Sequence, residues 1–144
     1  MRRSIAQLAE QIASAAHDGQ VDKAGQPYIA HPARVAARVG GDERAVAAAW
    51  LHDVVEDSDV TLADLEESFP VEVTAAVDAL TRRGGEDPAD YYARVRQVPL
   101  ALTVKLADLA DNSDPQRLAQ LDAATRDRLT AKYARARAEL TASV

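Results

Sequence analysis

The chain has 144 residues, 47% of them hydrophobic, which is one domain of ordinary size with enough apolar side chains for a core. It has no cysteine, so disulfides, thiolate metal sites and a cysteine nucleophile are excluded. A net charge of −6 argues against general nucleic-acid binding, and neither a membrane-length apolar run nor a signal-peptide pattern is present, so a cytoplasmic protein without nucleic-acid or membrane partners is expected.

The 31 alanines against one Phe, one Trp and one Met predict helices that approach closely on small side chains. Ser4 caps a first helix with apolar positions at Ile5, Leu8, Ile12 and Ala16, ending near Asp18-Gly19. Residues 20–29 form a polar connection with Gly25 and Pro27, too long for a simple turn. His31-Pro32 starts the next helix, Val35 and Val39 face inward, and Gly40-Gly41 ends it. Asp42 caps a central helix, with Val46, Trp50 and Val54 at i, i+4 spacing, expected to continue to Asp57. Thr61 and Asp64 form a capping box for Leu62 to Phe69, and Pro70 opens a helix with Val73, Val77 and Leu80 inward. After the polar loop 82–87, Pro88 starts a helix through Tyr91, Tyr92 and Val95. Pro99 starts another, with Leu102, Leu106, Leu109 and Ala110 as apolar positions. A long charged helix from Asp122 to about Thr141 buries Leu129, Tyr133, Ala136 and Leu140. No strand, repeat or linker emerges. The expectation is an all-α single domain over residues 1–144, with seven or eight helices.

Several ionisable residues occupy costly positions. His52 and Asp53 stand adjacent on the apolar central helix, with Glu56 and Asp57 following. His31 opens a helix, and Asp108 lies between Leu106 and Leu109. Buried together, such groups cost desolvation energy unless a cation compensates. Two His and two Asp form a mixed N/O set that suits Mn, Fe or Zn better than Ca or Mg. Solvation of Asp108 on a polar face shared with Lys105, Asp111 and Asn112 is the alternative. Carboxylates at a helix C-terminus oppose the macrodipole, which disfavours a purely structural reading of Glu56 and Asp57. His17 reads as a packed or capping residue, and Asn112 as either a C-cap or a ligand contact.

Three segments together resemble the HD-domain hydrolases of the RelA/SpoT type. Ala16-His17-Asp18-Gly19-Gln20 with Lys23-Ala24-Gly25-Gln26-Pro27-Tyr28-Ile29-Ala30-His31-Pro32 is similar to their opening motif. Leu51-His52-Asp53-Val54-Val55-Glu56-Asp57 is similar to the central one, and Val104-Lys105-Leu106-Ala107-Asp108 with Asn112 to the third. The order is right and the span runs from about residue 5 to 118, closest to the stand-alone small alarmone hydrolases. The resemblance implies an all-helical fold. It implies that His31, His52, Asp53 and Asp108 hold one metal ion, usually Mn²⁺, and that Glu56 and Asp57 serve the attacking water. It implies removal of the 3′-pyrophosphate of ppGpp or pppGpp, with Lys23, Lys105 and Asn112 contacting the nucleotide. A homo-oligomer stays open.

Two positions depart from the family pattern. Asp22 stands where a base usually packs near guanine, and Leu109 where an Arg usually follows the third-motif Asp. Asp22 is expected either to face solvent or to read the base. Because of it, ppApp becomes an alternative substrate; NADPH, from which the resemblance to related animal enzymes implies removal of a phosphate, is another, and an idle nucleotide- or protein-binding module is the reading from another class. With so acidic a chain the pocket must gather its own bases, for which Lys23, Lys105, Arg82 and Arg83 are the candidates.

Overall fold

The computed structural model describes residues 4–142; the three residues before Ser4 and the last two of the expected 1–144 domain lie outside the described residues. The described residues form ten helical segments and a single isolated β-bridge, Val21 to Pro27, so the all-α expectation holds. The segments are α1 (Ile5–Ala16), α2 (Ala30–Arg38), α3 (Glu43–Leu51), α4 (Val54–Asp57), α5 (Leu62–Glu66), α6 (Val71–Leu80), α7 (Pro88–Arg96), α8 (Pro99–Asn112), α9 (Pro115–Leu118) and α10 (Ala123–Thr141). Among the described residues, no helix is long and apolar enough to cross a membrane.

The expected seven or eight helices become ten for two reasons. A short α9 follows Ser113, capped by Asp114 with Pro115 at its first turn. The central helix also breaks. The Ala49 carbonyl accepts from the His52 Nδ1 at 2.6 Å and from the His52 backbone N–H at 3.5 Å, an i→i+3 turn capped by a side chain. α3 ends at Leu51, Asp53 takes φ −110° and ψ −1°, and α4 restarts at Val54. Successive residues of an unbroken helix point about 100° apart, since 3.6 residues make one turn. The break frees His52 and Asp53 from that constraint, and both reach the same site.

α3 is the hub. It packs against α1, α2, α6 and α8, and Ala45, Ala47, Ala48, Ala49 and Leu51 are buried. Methyl side chains on all sides let four neighbours approach one helix, which accounts for the alanine-rich composition. Ala48 is completely enclosed. Ala48→Leu is therefore expected to destabilise the fold by about 1–3 kcal/mol through overpacking, read as a lower urea midpoint at unchanged m.

α8 crosses α2, α3, α6, α7 and α10. Its most buried face runs through Ala101, Val104, Lys105, Ala107, Asp108, Leu109 and Asp111. Leu102 and Leu106 are only partly covered, so the buried stripe is rotated from the expected one and carries charge into the core. Thus α2, α3 and α8 deliver His31, His52 and Asp108 to one place.

Candidate metal and nucleotide site

His31 sits in the first turn of α2 and is buried. Its Nε2 lies 2.7 Å from Asp108 Oδ1 and its Nδ1 2.6 Å from Asp111 Oδ2. Asp108 Oδ2 accepts from Lys105 Nζ at 2.9 Å, and Oδ1 from Asn112 Nδ2 at 3.2 Å. Burial would raise the pKa of Asp108, but Lys105 and the two imidazoles hold it well below the usual carboxylate range.

His52 provides the sharpest test of whether this donor set fits a metal ion. Its Nδ1 is turned to the Ala49 carbonyl, so in the neutral ring Nε2 carries a lone pair. That Nε2 is buried, lies 3.1 Å from Asp53 Oδ2 and 3.3 Å from Asp108 Oδ1, and has no hydrogen-bond partner. A buried lone pair facing two carboxylates is suited to a cation, either a proton or a metal. Burial alone would depress the pKa of His52; Asp53 and Asp108 outweigh it and raise the pKa well above the ordinary value. The same negative field that favours a proton favours a divalent ion. Ligand atoms of His31, His52 and Asp108 all lie within 4.8 Å of one another, so these three residues could hold a metal ion. Asp53 stays outside that group. Its Oδ2 accepts from the Tyr28 hydroxyl and faces His52.

Two residues that the sequence reading gave no role support this cluster. Asp111 is 0% exposed, and besides His31 it accepts from Arg34 Nε at 2.7 Å and Arg117 Nη1 at 2.9 Å. A carboxylate on the far nitrogen of an imidazole fixes its tautomer and orientation, a common second-layer device at metal sites. Tyr28 does the same for Asp53. Burial and the Asp53 charge push its phenol pKa far up, so it stays a donor.

Glu56 and Asp57 line the same cleft as the His/Asp cluster. Glu56 Oε1 accepts from the Arg82 backbone N–H at 2.6 Å, which aims the carboxylate without consuming its second oxygen. Burial first, and then the Asp53 charge, raise the pKa of both Glu56 and Asp57 above ordinary values, making each a stronger base than a solvated carboxylate. The helix break means that Glu56 is not stacked one regular turn after His52; Asp57 N–H still reaches the Asp53 carbonyl at 3.0 Å.

The cleft encloses about 390 Å³, room for a small ligand. Lys23 lines it and is exposed. Lys105 lines it too, but its ammonium is buried against Asp108, so it supports a ligand-type carboxylate. Asn112 lies within the last turn of α8, with Ser113 as the C-cap, and its amide joins Asp108 to the cleft wall. Arg83 is turned to Asp78 and the Thr81 carbonyl, away from the cleft. His17 caps α1, buried, with Nδ1 on Gln20 Oε1 at 2.9 Å.

Asp22 does not face solvent: its side chain is 13% exposed and lines the cleft. Its Oδ1 accepts from the Ala24 and Gln26 backbone N–H groups, both at 2.9 Å, and Oδ2 lies 3.4 Å from Arg117 Nη2. Oδ1 thus folds its own loop, and Oδ2 faces Arg117 at the cleft wall.

Comparison with known proteins places this geometry in context. A family model described as "HD domain" matches residues 9–127. The guanosine-3′,5′-bis(diphosphate) 3′-pyrophosphohydrolase of Aquifex aeolicus is 34% identical over 117 residues, covering 74% of this chain and 17% of that protein. The Haemophilus influenzae protein of the same name is 45% identical over 118 residues, covering 70% and 17%. The chain thus spans under a fifth of the length of these curated relatives. Among solved structures, a metazoan ortholog of SpoT that hydrolyses ppGpp superposes with a TM-score of 0.81 at 25% identity, over 98% of this chain and 88% of that one. The matched span contains every member of the His/Asp cluster, from His31 to Asp111, and by that match the chain belongs to the HD-domain family.

Proposed function

We propose that residues 1–144 are one hydrolase domain that removes the 3′-pyrophosphate of ppGpp or pppGpp, yielding GDP or GTP and pyrophosphate, in the cytoplasm. His31, His52, Asp53 and Asp108 would hold one divalent transition-metal ion, Mn²⁺ in the first instance. The observation that carries this reading is the buried, unpartnered Nε2 of His52 facing Asp53 and Asp108. The names of the relatives support the choice of substrate.

A bound divalent ion would supply Lewis acidity at a phosphoryl oxygen and at water. The remaining work falls to the chain's own groups. Glu56 and Asp57 orient the attacking water and take its proton, for which their raised pKa suits them. The water oxygen bonds to the phosphorus next to the ribose, the bond to the 3′ oxygen breaks, and that oxygen leaves with a proton. Asp111 and the Ala49 carbonyl hold the two imidazoles, and Lys105 holds Asp108. Lys23 and Asn112 stand at the cleft to contact the nucleotide.

Mn²⁺-loaded protein incubated with ppGpp, pppGpp, ppApp and NADPH tests the proposal. Pyrophosphate release from the guanosine compounds, abolished by a chelator and restored by Mn²⁺, is the expected result. Turnover of ppApp or NADPH alone would replace the substrate, and binding without turnover of any of the four would overturn the enzymatic reading.

A further inference from the structure

Glu56 and Asp57 stand on α4, a helix of four residues with no side-chain cap at its start. So short a helix has little stability of its own, and its place is set by what holds it from outside. Hydrogen bonds from two other elements reach its acidic residues. On one side the Arg82 backbone N–H donates to Glu56 Oε1 at 2.6 Å. On the other, Gln20 Nε2 donates to the Asp57 carbonyl at 3.0 Å, from the turn that follows α1.

Gln20 is in turn held by His17. The Gln20 amide also donates to the Ala16 carbonyl at 3.2 Å, so its oxygen faces the other way and meets His17 Nδ1 at 2.9 Å. Oε1 can only accept, which makes Nδ1 the donor. His17 is buried, and its Nε2 has no hydrogen-bond partner. A side chain that only filled the core would be better apolar, since an unpaired buried polar atom is destabilising. What the imidazole supplies and an apolar side chain would not is the Nδ1–H, and that donor goes to Gln20. The ring packs 4.8 Å from the ring of Tyr28, a residue of the cleft wall, so His17 lies one layer behind the cleft. Burial and the Asp53 charge raise the pKa of Asp57, and His17 is the first group that opposes them, so it lies close enough to act on that carboxyl.

We infer that His17 and Gln20 are positioning residues that set the place of Asp57 against the attacking water. His17 fixes Gln20, and Gln20 fixes the end of α4. The inference rests on the proposed reaction, in which Asp57 serves that water. Neither side chain belongs to the cleft wall, so both act through Asp57. The two carboxylates are thus aimed differently: Glu56 through its side chain, Asp57 through its backbone.

The test uses the Mn²⁺-loaded full chain and ppGpp. His17→Leu and Gln20→Leu are each expected to lower kcat about tenfold or more, with KM and metal content little changed, because a small misplacement of a reacting group has effects of that size. Gln20 is half-buried, so its variant carries the test should His17→Leu not fold. His17→Asn puts an amide N–H where Nδ1–H stood and is expected to recover kcat to within about threefold of wild type; His17→Gln puts its amide at the place of Nε2 and is not. In an Asp57→Asn background His17→Leu should lower kcat less than about twofold further, whereas a loss that acts through the fold alone would carry over in full. Wild-type kcat in both leucine variants, equal recovery by Asn and Gln, or an undiminished loss in the Asp57→Asn background would overturn the inference while leaving the reaction standing. If ppGpp is not hydrolysed, the reaction fails, and the positioning is read by amide hydrogen exchange on the same proteins. The Asp57 N–H, bonded to the Asp53 carbonyl, should then exchange at least about threefold faster in His17→Leu, relative to the Ser113 N–H at the end of α8, and recover in His17→Asn. Unchanged relative exchange overturns it.

Discussion

Asp111→Ala is expected to weaken divalent-ion binding by about 10- to 100-fold, the usual cost of losing a second-layer partner of a metal-binding histidine. Asp111 touches nothing in the cleft directly. It acts through His31, whose Nδ1 it holds at 2.6 Å so that Nε2 points to Asp108. It also sits between Arg34 and Arg117, with Arg38 Nε at 4.0 Å. Removing the carboxylate leaves a cluster of cations facing one another beside a buried imidazole. Arg34 and Arg38 are about two-fifths exposed, so water takes up part of the loss and stability is expected to fall by about 1–3 kcal/mol. Asp111→Asn separates the two roles. The amide oxygen can still accept from His31 Nδ1–H, so metal affinity should largely recover while the loss of charge still lowers stability. Titration of Mn²⁺ into each variant, followed by urea unfolding without metal, reads both. Wild-type metal affinity in Asp111→Ala would remove Asp111 from the support of the site.

The same residue gives a signed dependence on acidity. Burial opposes ionisation of Asp111, but His31 and Arg34 outweigh it and bring its pKa down to about 2. The folded pKa is below the unfolded value of about 3.9, so the contribution of Asp111 is fully present above that value. It is lost as pH falls from about 4 through 2. Wild type should therefore lose more stability across this window than Asp111→Asn does.

The sequence already carried the three helical segments that meet at the site, because His31, His52, Asp53 and Asp108 are polar residues at apolar or helix-opening positions. Asp111 carried a signal too. Val104, Ala107, Asp108 and Asp111 fall at i, i+3, i+4 and i+7, the spacing of one buried stripe. The Leu102, Leu106 and Leu109 series competes with that stripe on the same helix, and its larger apolar side chains make it the stronger pattern. The break between α3 and α4 left no such mark, since it depends on the His52 side chain taking the Ala49 carbonyl. Asp22 and Arg117 are 95 residues apart, and no local pattern announces their pairing. α9 was readable in principle from Asp114-Pro115, a capping residue followed by proline at the first helical position.

Glu56→Gln and Asp57→Asn are each expected to lower turnover by about 10²-fold or more while metal content stays near wild type, the scale on which positioned proton acceptors act. The two changes probe different surroundings. Gln at 56 can keep accepting from the Arg82 N–H through its amide oxygen, so the side chain stays aimed and only its basicity is lost. Asp57 has no comparable anchor. Gln20 Nε2 donates to its backbone carbonyl at 3.0 Å, and among the described residues no hydrogen bond is formed to its carboxylate. Asn at 57 therefore removes charge from a group free to meet a water. If both carboxylates serve the water, the double variant should be little worse than the poorer single one, because residues that act as a unit lose their effect together. Metal analysis beside single-turnover rates decides between the assignments. Loss of metal from either variant would move that residue into the ligand set, and unchanged turnover would remove it from the mechanism.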